Sequence, residues 1–223
     1  MAVEFRDAER EQTSFLAPLE KRALVWLAVR MPQRVNSDHL TVLGLVSLLA
    51  AGFSYWYAKG EKAGLLMAIV FLFTNWFGDS LDGTLARVRN RQRPRYGFYV
   101  DHVVDAFGTL FLFGGLAASG YMSPWVAMGF LIAYFMLSIE VYLSTYTLGM
   151  FRLSHFKFSP TELRILLAAG NIALFLMPSP MVLGGRFLLF DVGGVIGIAG
   201  VFIMLLRAII QHTTMLYEEE TVR

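Results

Sequence analysis

The chain has 223 residues, 56% hydrophobic and only 16% charged, with a mean hydropathy of +0.55. That balance excludes an ordinary soluble domain, and the apolar residues fall in long runs, as in a polytopic membrane protein. The absence of cysteine excludes a disulfide framework and a thiolate metal centre, and a net charge of only +2 points to no nucleic-acid partner.

Residues 1–14 (MAVEFRDAEREQTS) carry four acids and two arginines. They lack the basic start, apolar stretch and small-residue cleavage site of a secretory signal, and they read as a loose cytoplasmic lead. Leu16–Met31 mixes Leu16, Leu19, Leu24, Trp26, Leu27 and Val29 with Glu20, Lys21, Arg22 and Arg30. This predicts an amphipathic helix lying on the membrane surface, with a helix packed on the loops as the alternative. Lead and surface helix together occupy residues 1–38.

Six candidate spans follow, Leu40–Tyr57, Gly64–Val88, Gly97–Ser119, Trp125–Gly149, Glu162–Met177 and Phe187–Ile210. Each is near the ~20 residues that cross a bilayer as helix, and lipid-facing backbone must satisfy its own hydrogen bonds, so helices are expected. The fifth is short and contains Gly170 and Asn171. Ser159-Pro160-Thr161-Glu162 before it has the form of a helix start, with Ser159 as cap and Pro160 at the first position. The fold class is therefore all-α integral membrane, six transmembrane helices with an N-terminal amphipathic surface helix. The transmembrane domain spans 39–211 and a cytoplasmic tail spans 212–223. Trp56, Tyr57, Tyr121 and Trp125 stand at the outer ends, as an aromatic belt would.

Charge orients these spans. The N-terminal stretch, the loop between spans two and three, the loop between spans four and five and the C-terminal end together hold 16 Lys/Arg, against three (Lys59, Lys62, Arg186) on the other side. The excess places both termini in the cytoplasm and requires an even number of crossings.

Acids inside spans are expensive, so each is a functional hypothesis. Asp79 and Asp82 lie at the end of span two, Asp101 and Asp105 near the start of span three, and the connecting loop is short. Spacings of three and four put each pair on one helix face, so two helices aim four carboxylates at one point. Such a cluster needs a cation, and all-oxygen ligation suits Mg²⁺ or Mn²⁺, one ion or two. Gly83, Ala86 and Gly97 leave room for a bulky ligand, and Arg87, one turn beyond Gly83, is placed to pair with a phosphate. Metal, arginine and a small-residue floor fit a diphosphate site on the cytoplasmic side. Helix capping and an ion pathway through a carrier remain alternatives at this point.

Other polar residues are less directive. Glu140, deep in span four, either pairs with a polar group inside the bundle or lies near a substrate cavity. His102 points about 100° off the metal face and reads as a packed or hydrogen-bonded histidine. Arg93, Arg95, Arg152 and Arg164 are candidates for contact with an acidic acceptor such as an alcohol phosphate, and also satisfy the positive-inside pattern.

The stretch Asp79-Ser-Leu-Asp82-Gly83-Thr-Leu-Ala86-Arg87, followed by Gly97-Phe-Tyr-Val-Asp101-His-Val-Val-Asp105, resembles the signature of the CDP-alcohol phosphatidyltransferase family. All eight signature residues are present, over 27 residues. Nine residues separate Arg87 from Gly97, where eight is usual. The resemblance implies metal-dependent transfer of a substituted phosphate from a CDP-linked donor to an alcohol, releasing CMP, by a homodimer. It implies that Asp79, Asp82, Asp101 and Asp105 hold the metals, that Asp105 is also the general base, and that Gly83 and Arg87 contact the CDP. A nucleotide-lining element precedes the first span in this family; Ser37-Asp38-His39-Leu40-Thr41 occupies that place, with Ser37 where proline is common, so Asp38 and Thr41 are carried over. CDP-diacylglycerol with a small alcohol or alcohol phosphate is the leading substrate pair. The alternative is CDP-choline or CDP-ethanolamine with diacylglycerol, because Pro160-Thr161-Glu162 looks like an element of those phosphotransferases.

Overall fold

A computed structural model describes residues 9–11, 17–148, 150–152, 160–177 and 179–220. Most of the expected lead, together with Lys157 and Ser159, lies outside the described residues. Seven helices follow in order, α1 (Ala17–Arg30), α2 (Ser37–Ala58), α3 (Ala63–Val88), α4 (Pro94–Ser119), α5 (Pro124–Leu148), α6 (Pro160–Leu176) and α7 (Leu189–Glu219). Two small pairings complete the description: β1 (Glu9–Glu11) runs parallel to β2 (Met150–Arg152), and β3 (Met181–Val182) pairs antiparallel with β4 (Phe187–Leu188).

Five helices, α2, α3, α4, α5 and α7, are long and apolar enough to cross a membrane. α6 has 17 residues, at the lower limit for a span. Its contacts place it alongside α3 over the same length of the bundle. At one end Thr161 bonds Glu20, which also binds Ser80 of α3; at the other, Lys62 donates to the carbonyl of Met177 at 2.6 Å. α6 thus covers the same height as α3 between Lys62 and Ser80, and the chain is a multi-pass, all-α integral membrane protein of six crossings. Gly170 and Asn171 do not break α6. Asn171 is fully buried and donates to the Tyr55 hydroxyl at 2.9 Å, while a side chain on Gly170 would strike the ring of Phe190.

α2 is the axis of the bundle. Its partners approach through glycine. A Cβ on Gly78 would lie 2.6 Å from the carbonyl oxygen of Leu40 and 2.7 Å from the nitrogen of Gly44. Gly52 and Gly115 likewise bring α2 and α4 into backbone contact. Between helices in lipid such close approach supplies the packing that a hydrophobic effect cannot. Leu48, Tyr55, Leu65, Leu72, Phe113, Leu116 and Leu131 fill the space around these crossings.

α1 packs on α3 through Leu24 and Ala28, which join Leu40, Leu81 and Leu85 in a second apolar cluster. Its other face exposes Leu19, Val25, Trp26 and Val29, the amphipathic surface helix expected from sequence. Two details differ from expectation. α7 continues without a break through the expected start of the tail at residue 212, because His212 faces inward and is buried. Tyr121 does not belong to an exposed aromatic belt. α4 closes on Gly120 in the left-handed conformation, and Tyr121 packs into the core, whereas Trp56, Tyr57 and Trp125 are exposed.

Candidate metal and diphosphate site

The site lies at the α1 end of the bundle, where α2 begins, α3 ends, and α4 and α6 begin. The chain enters α2 through a capping box. The Asn36 side chain accepts from the His39 amide at 3.1 Å, and the His39 ring accepts from the Asn36 amide at 3.3 Å. That gives His39 the role that spacing alone did not show.

α3 stops at a Schellman turn. Arg91 N–H bonds the carbonyl of Ala86 at 2.9 Å, Asn90 N–H bonds that of Arg87 at 3.1 Å, and Asn90 sits at φ 52°. Asparagine tolerates this left-handed position better than other residues with a side chain. Five residues, 89–93, then reach Pro94 at the first position of α4. The last three residues of the long Arg87–Gly97 gap are already helical, so the extra residue leaves the two helix ends adjacent.

This turn brings three of the four aspartates together. One carboxylate oxygen from each of Asp79, Asp101 and Asp105 lies within 4.8 Å of the other two. Asp82 stands outside that group. Its Oδ2 accepts from the Thr41 hydroxyl at 2.6 Å, and its Oδ1 accepts from the Gly83 amide. Ser37 donates to the Asp82 carbonyl at 2.9 Å, a contact that proline, common at this place in the resembling family, could not make. Thr41 and Ser37 thus tie the start of α2 to Asp82.

The donor set fits a hard divalent cation. It is all oxygen, partly buried and anionic, and the spacing is close to that of oxygens sharing one ion or bridging two. Three carboxylates at this distance repel one another in a low-dielectric setting unless a cation stands among them. The chain itself supplies one positive charge: Arg164 of α6 donates to Asp79 Oδ2 at 2.5 Å and to Asn75 Oδ1 at 2.8 Å, and Asn75 in turn bonds the Gly44 carbonyl at 3.0 Å. Arg164, expected from sequence as a candidate acceptor contact, therefore stands beside the carboxylate cluster.

The other expected residues surround this centre. Asp38 pairs with Arg93, whose guanidinium lies over the Tyr96 ring. Arg87 is exposed and donates to the Thr84 hydroxyl at 3.0 Å. Ala86 is half-buried, and Gly97 is exposed, with no heavy atom within 4 Å of where its Cβ would be. Open space at Gly97 agrees with room for a ligand. Arg95 is exposed in the first turn of α4. Arg152 lies in β2, and its side chain is outside the described residues.

Sequence reasoning passed over several residues. Arg89, grouped with topology signals, donates to the carbonyls of Val35, Met31 and Pro32 and so fixes the connection between α1 and α2. Tyr134, Ser138 and Tyr142 recur every fourth residue on α5. Ser138 donates to the Tyr134 carbonyl at 3.0 Å, and the Tyr134 and Tyr142 hydroxyls lie near enough to Asp105 to feel its charge. The period was legible, but the facing helix was not. His102 bonds the Phe98 carbonyl at 2.5 Å and packs on Phe98 and Tyr142, as expected of a packed histidine. Glu140 pairs with His212 at 2.5 Å inside the α5–α7 contact, which decides between its two readings.

A family model described as CDP-alcohol phosphatidyltransferase matches residues 35–206. A search of curated proteins gave no match.

Proposed function

The chain belongs to the CDP-alcohol phosphatidyltransferase family, and from that premise we propose that it transfers a phosphatidyl group from CDP-diacylglycerol to a small alcohol or alcohol phosphate, releasing CMP, in phospholipid synthesis. The observation that carries this reading is the convergence of Asp79, Asp101 and Asp105 beside Arg164. An ion pathway needs acids along a route through the membrane, whereas these gather at one end of the bundle.

Asp79, Asp101 and Asp105, with Asp82 beside them, would hold Mg²⁺ or Mn²⁺, one ion or two. Such an ion supplies neutralisation of the diphosphate and of the departing CMP. The chain's own groups do the rest. Asp38, Thr41, Gly83, Ala86, Arg87 and Gly97 bound the nucleotide and diphosphate. Asp105 takes the proton of the acceptor hydroxyl as that oxygen bonds to the lipid-bearing phosphorus and the bond to CMP breaks. Arg164 orients an anionic acceptor, with Arg93, Arg95 and Arg152 as further candidates for that contact. Because metal binding lowers the basicity of a carboxylate, positioning of the hydroxyl contributes more than proton affinity.

The excess of 16 basic residues over three puts this end of the bundle, and both termini, on the cytoplasmic side. The working unit is a homodimer. The alternative donor, CDP-choline or CDP-ethanolamine with diacylglycerol, draws on Pro160-Thr161-Glu162. There Pro160 opens α6 and the Thr161 hydroxyl is engaged with Glu20 at 2.9 Å, so the element has structural roles of its own.

Purified protein with labelled CDP-diacylglycerol, Mn²⁺ and a panel of alcohols should release CMP. CMP release only from CDP-choline and diacylglycerol would select the alternative donor, and release from neither would sink the enzymatic reading. Asp105→Asn should lose turnover by about 10²–10⁴-fold while retaining CDP binding; normal turnover would remove Asp105 as base.

A further inference from the structure

Glu20 is the single acid of α1, and it faces the bundle rather than the surface. It is 8% exposed. Its Oε1 accepts from the Trp76 indole at 2.7 Å, from the Thr161 hydroxyl at 2.9 Å and from the Ser80 hydroxyl at 3.4 Å. Oε2 is buried with no partner among the described residues. A membrane-surface helix has no need of a buried carboxylate for adhesion, since Leu24 and Ala28 already dock it on α3.

The identity of the three donors matters. Ser80 directly follows Asp79, and Trp76 precedes it by three residues on α3. Thr161 lies one turn before Arg164 on α6. The same two helices are bridged again by Arg164 with Asp79 and Asn75. Glu20 therefore fastens α3 and α6 together one turn away from the contact that places Arg164 in the site.

We infer that Glu20 is a positioning residue: from the surface helix it sets the register of α6 against α3 and so holds Arg164 beside Asp79 for an anionic acceptor. This rests on the proposed acceptor role of Arg164. It also makes α1, whose outer face carries Leu19, Trp26 and Val29, a structural part of the site.

The test separates positioning from adhesion. Glu20→Gln keeps an Oε1 acceptor for all three donors, and Glu20→Ala removes it. For an alcohol phosphate acceptor, Glu20→Ala should raise KM about tenfold with kcat within about threefold, and Glu20→Gln should restore KM to within about twofold. The chain has no cysteine, so spin labels at Phe73→Cys on α3 and Ile165→Cys on α6, both exposed, report the helix pair directly. Their distance distribution should broaden in Glu20→Ala and sharpen again in Glu20→Gln. Unchanged KM in Glu20→Ala, a parallel fall of kcat and folded fraction with KM constant, or failure of Glu20→Gln to rescue would each overturn the inference. Should Glu20→Ala fail to accumulate, Thr161→Val removes one donor alone and is expected to raise KM about threefold; an unchanged KM there overturns the inference equally. Loss of CMP release by the unsubstituted protein would instead overturn the catalytic reading, and the spin-label distances would still report on Glu20.

Discussion

The two halves of the bundle are held together differently. In α2, α3 and α4 glycines bring backbones into contact. α5, α6 and α7 add buried polar links to their apolar packing. These are Glu140 with His212, Asn171 with Tyr55, and Arg164 with Asp79 and Asn75. The first half carries all eight signature residues. The second half supplies Arg164 and the Tyr134–Ser138–Tyr142 face. The carboxylate cluster thus sits against a wall that buried hydrogen bonds help to hold in place.

Substitutions can break or sharpen that contrast. Gly115→Leu places a side chain against the backbone of Gly52 and should cost about 3 kcal/mol or more, read as a large drop in thermal midpoint in detergent. Tolerance of that change would show that the first half is not held by backbone contact. Asp101→Asn should lower CMP release by about 100-fold or more with an unchanged thermal midpoint, because it removes a ligand from an already rigid frame. A midpoint that falls along with activity would mean the aspartates are structural. Glu140→Ala leaves His212 buried without its carboxylate and should cost about 2 kcal/mol, with CMP release at low temperature little affected. If its activity falls more than its stability, the α5–α7 pair belongs to the site. Lys62→Met loses one exposed hydrogen bond to Met177 at the far end of α6 and should cost below about 0.5 kcal/mol. A larger cost would show that α6 is restrained mainly from that end.

Much of this was legible without coordinates. Hydropathy placed six spans, and the observed helices differ from them by a few residues except at the end of α7. There the more polar stretch from Gln211 to Glu219 hid a continuing helix whose inward face carries His212. Spacing put Asp79, Asp101 and Asp105 on convergent faces because helix geometry is local and the loop between α3 and α4 is short. The link between α6 and the carboxylate cluster was not legible. Arg164 is 85 residues from Asp79, and Glu20 is 141 from Thr161, so no periodicity joins them. Nor could sequence show that Asp82 turns toward Thr41, since that depends on the crossing of α2 over α3 at Gly44 and Gly78.

The sequence by itself determined the membrane class, the span count, the charge asymmetry and the two-helix origin of the carboxylate cluster. Each follows from composition, from the 3.6-residue period or from a short connection. Only the tertiary structure decided that three of the four aspartates converge, that Arg164 stands beside them and that the surface helix reaches into the bundle through Glu20. Those are contacts between helices far apart in the chain. They are fixed by which small residues let backbones approach and by which buried polar atoms must find partners.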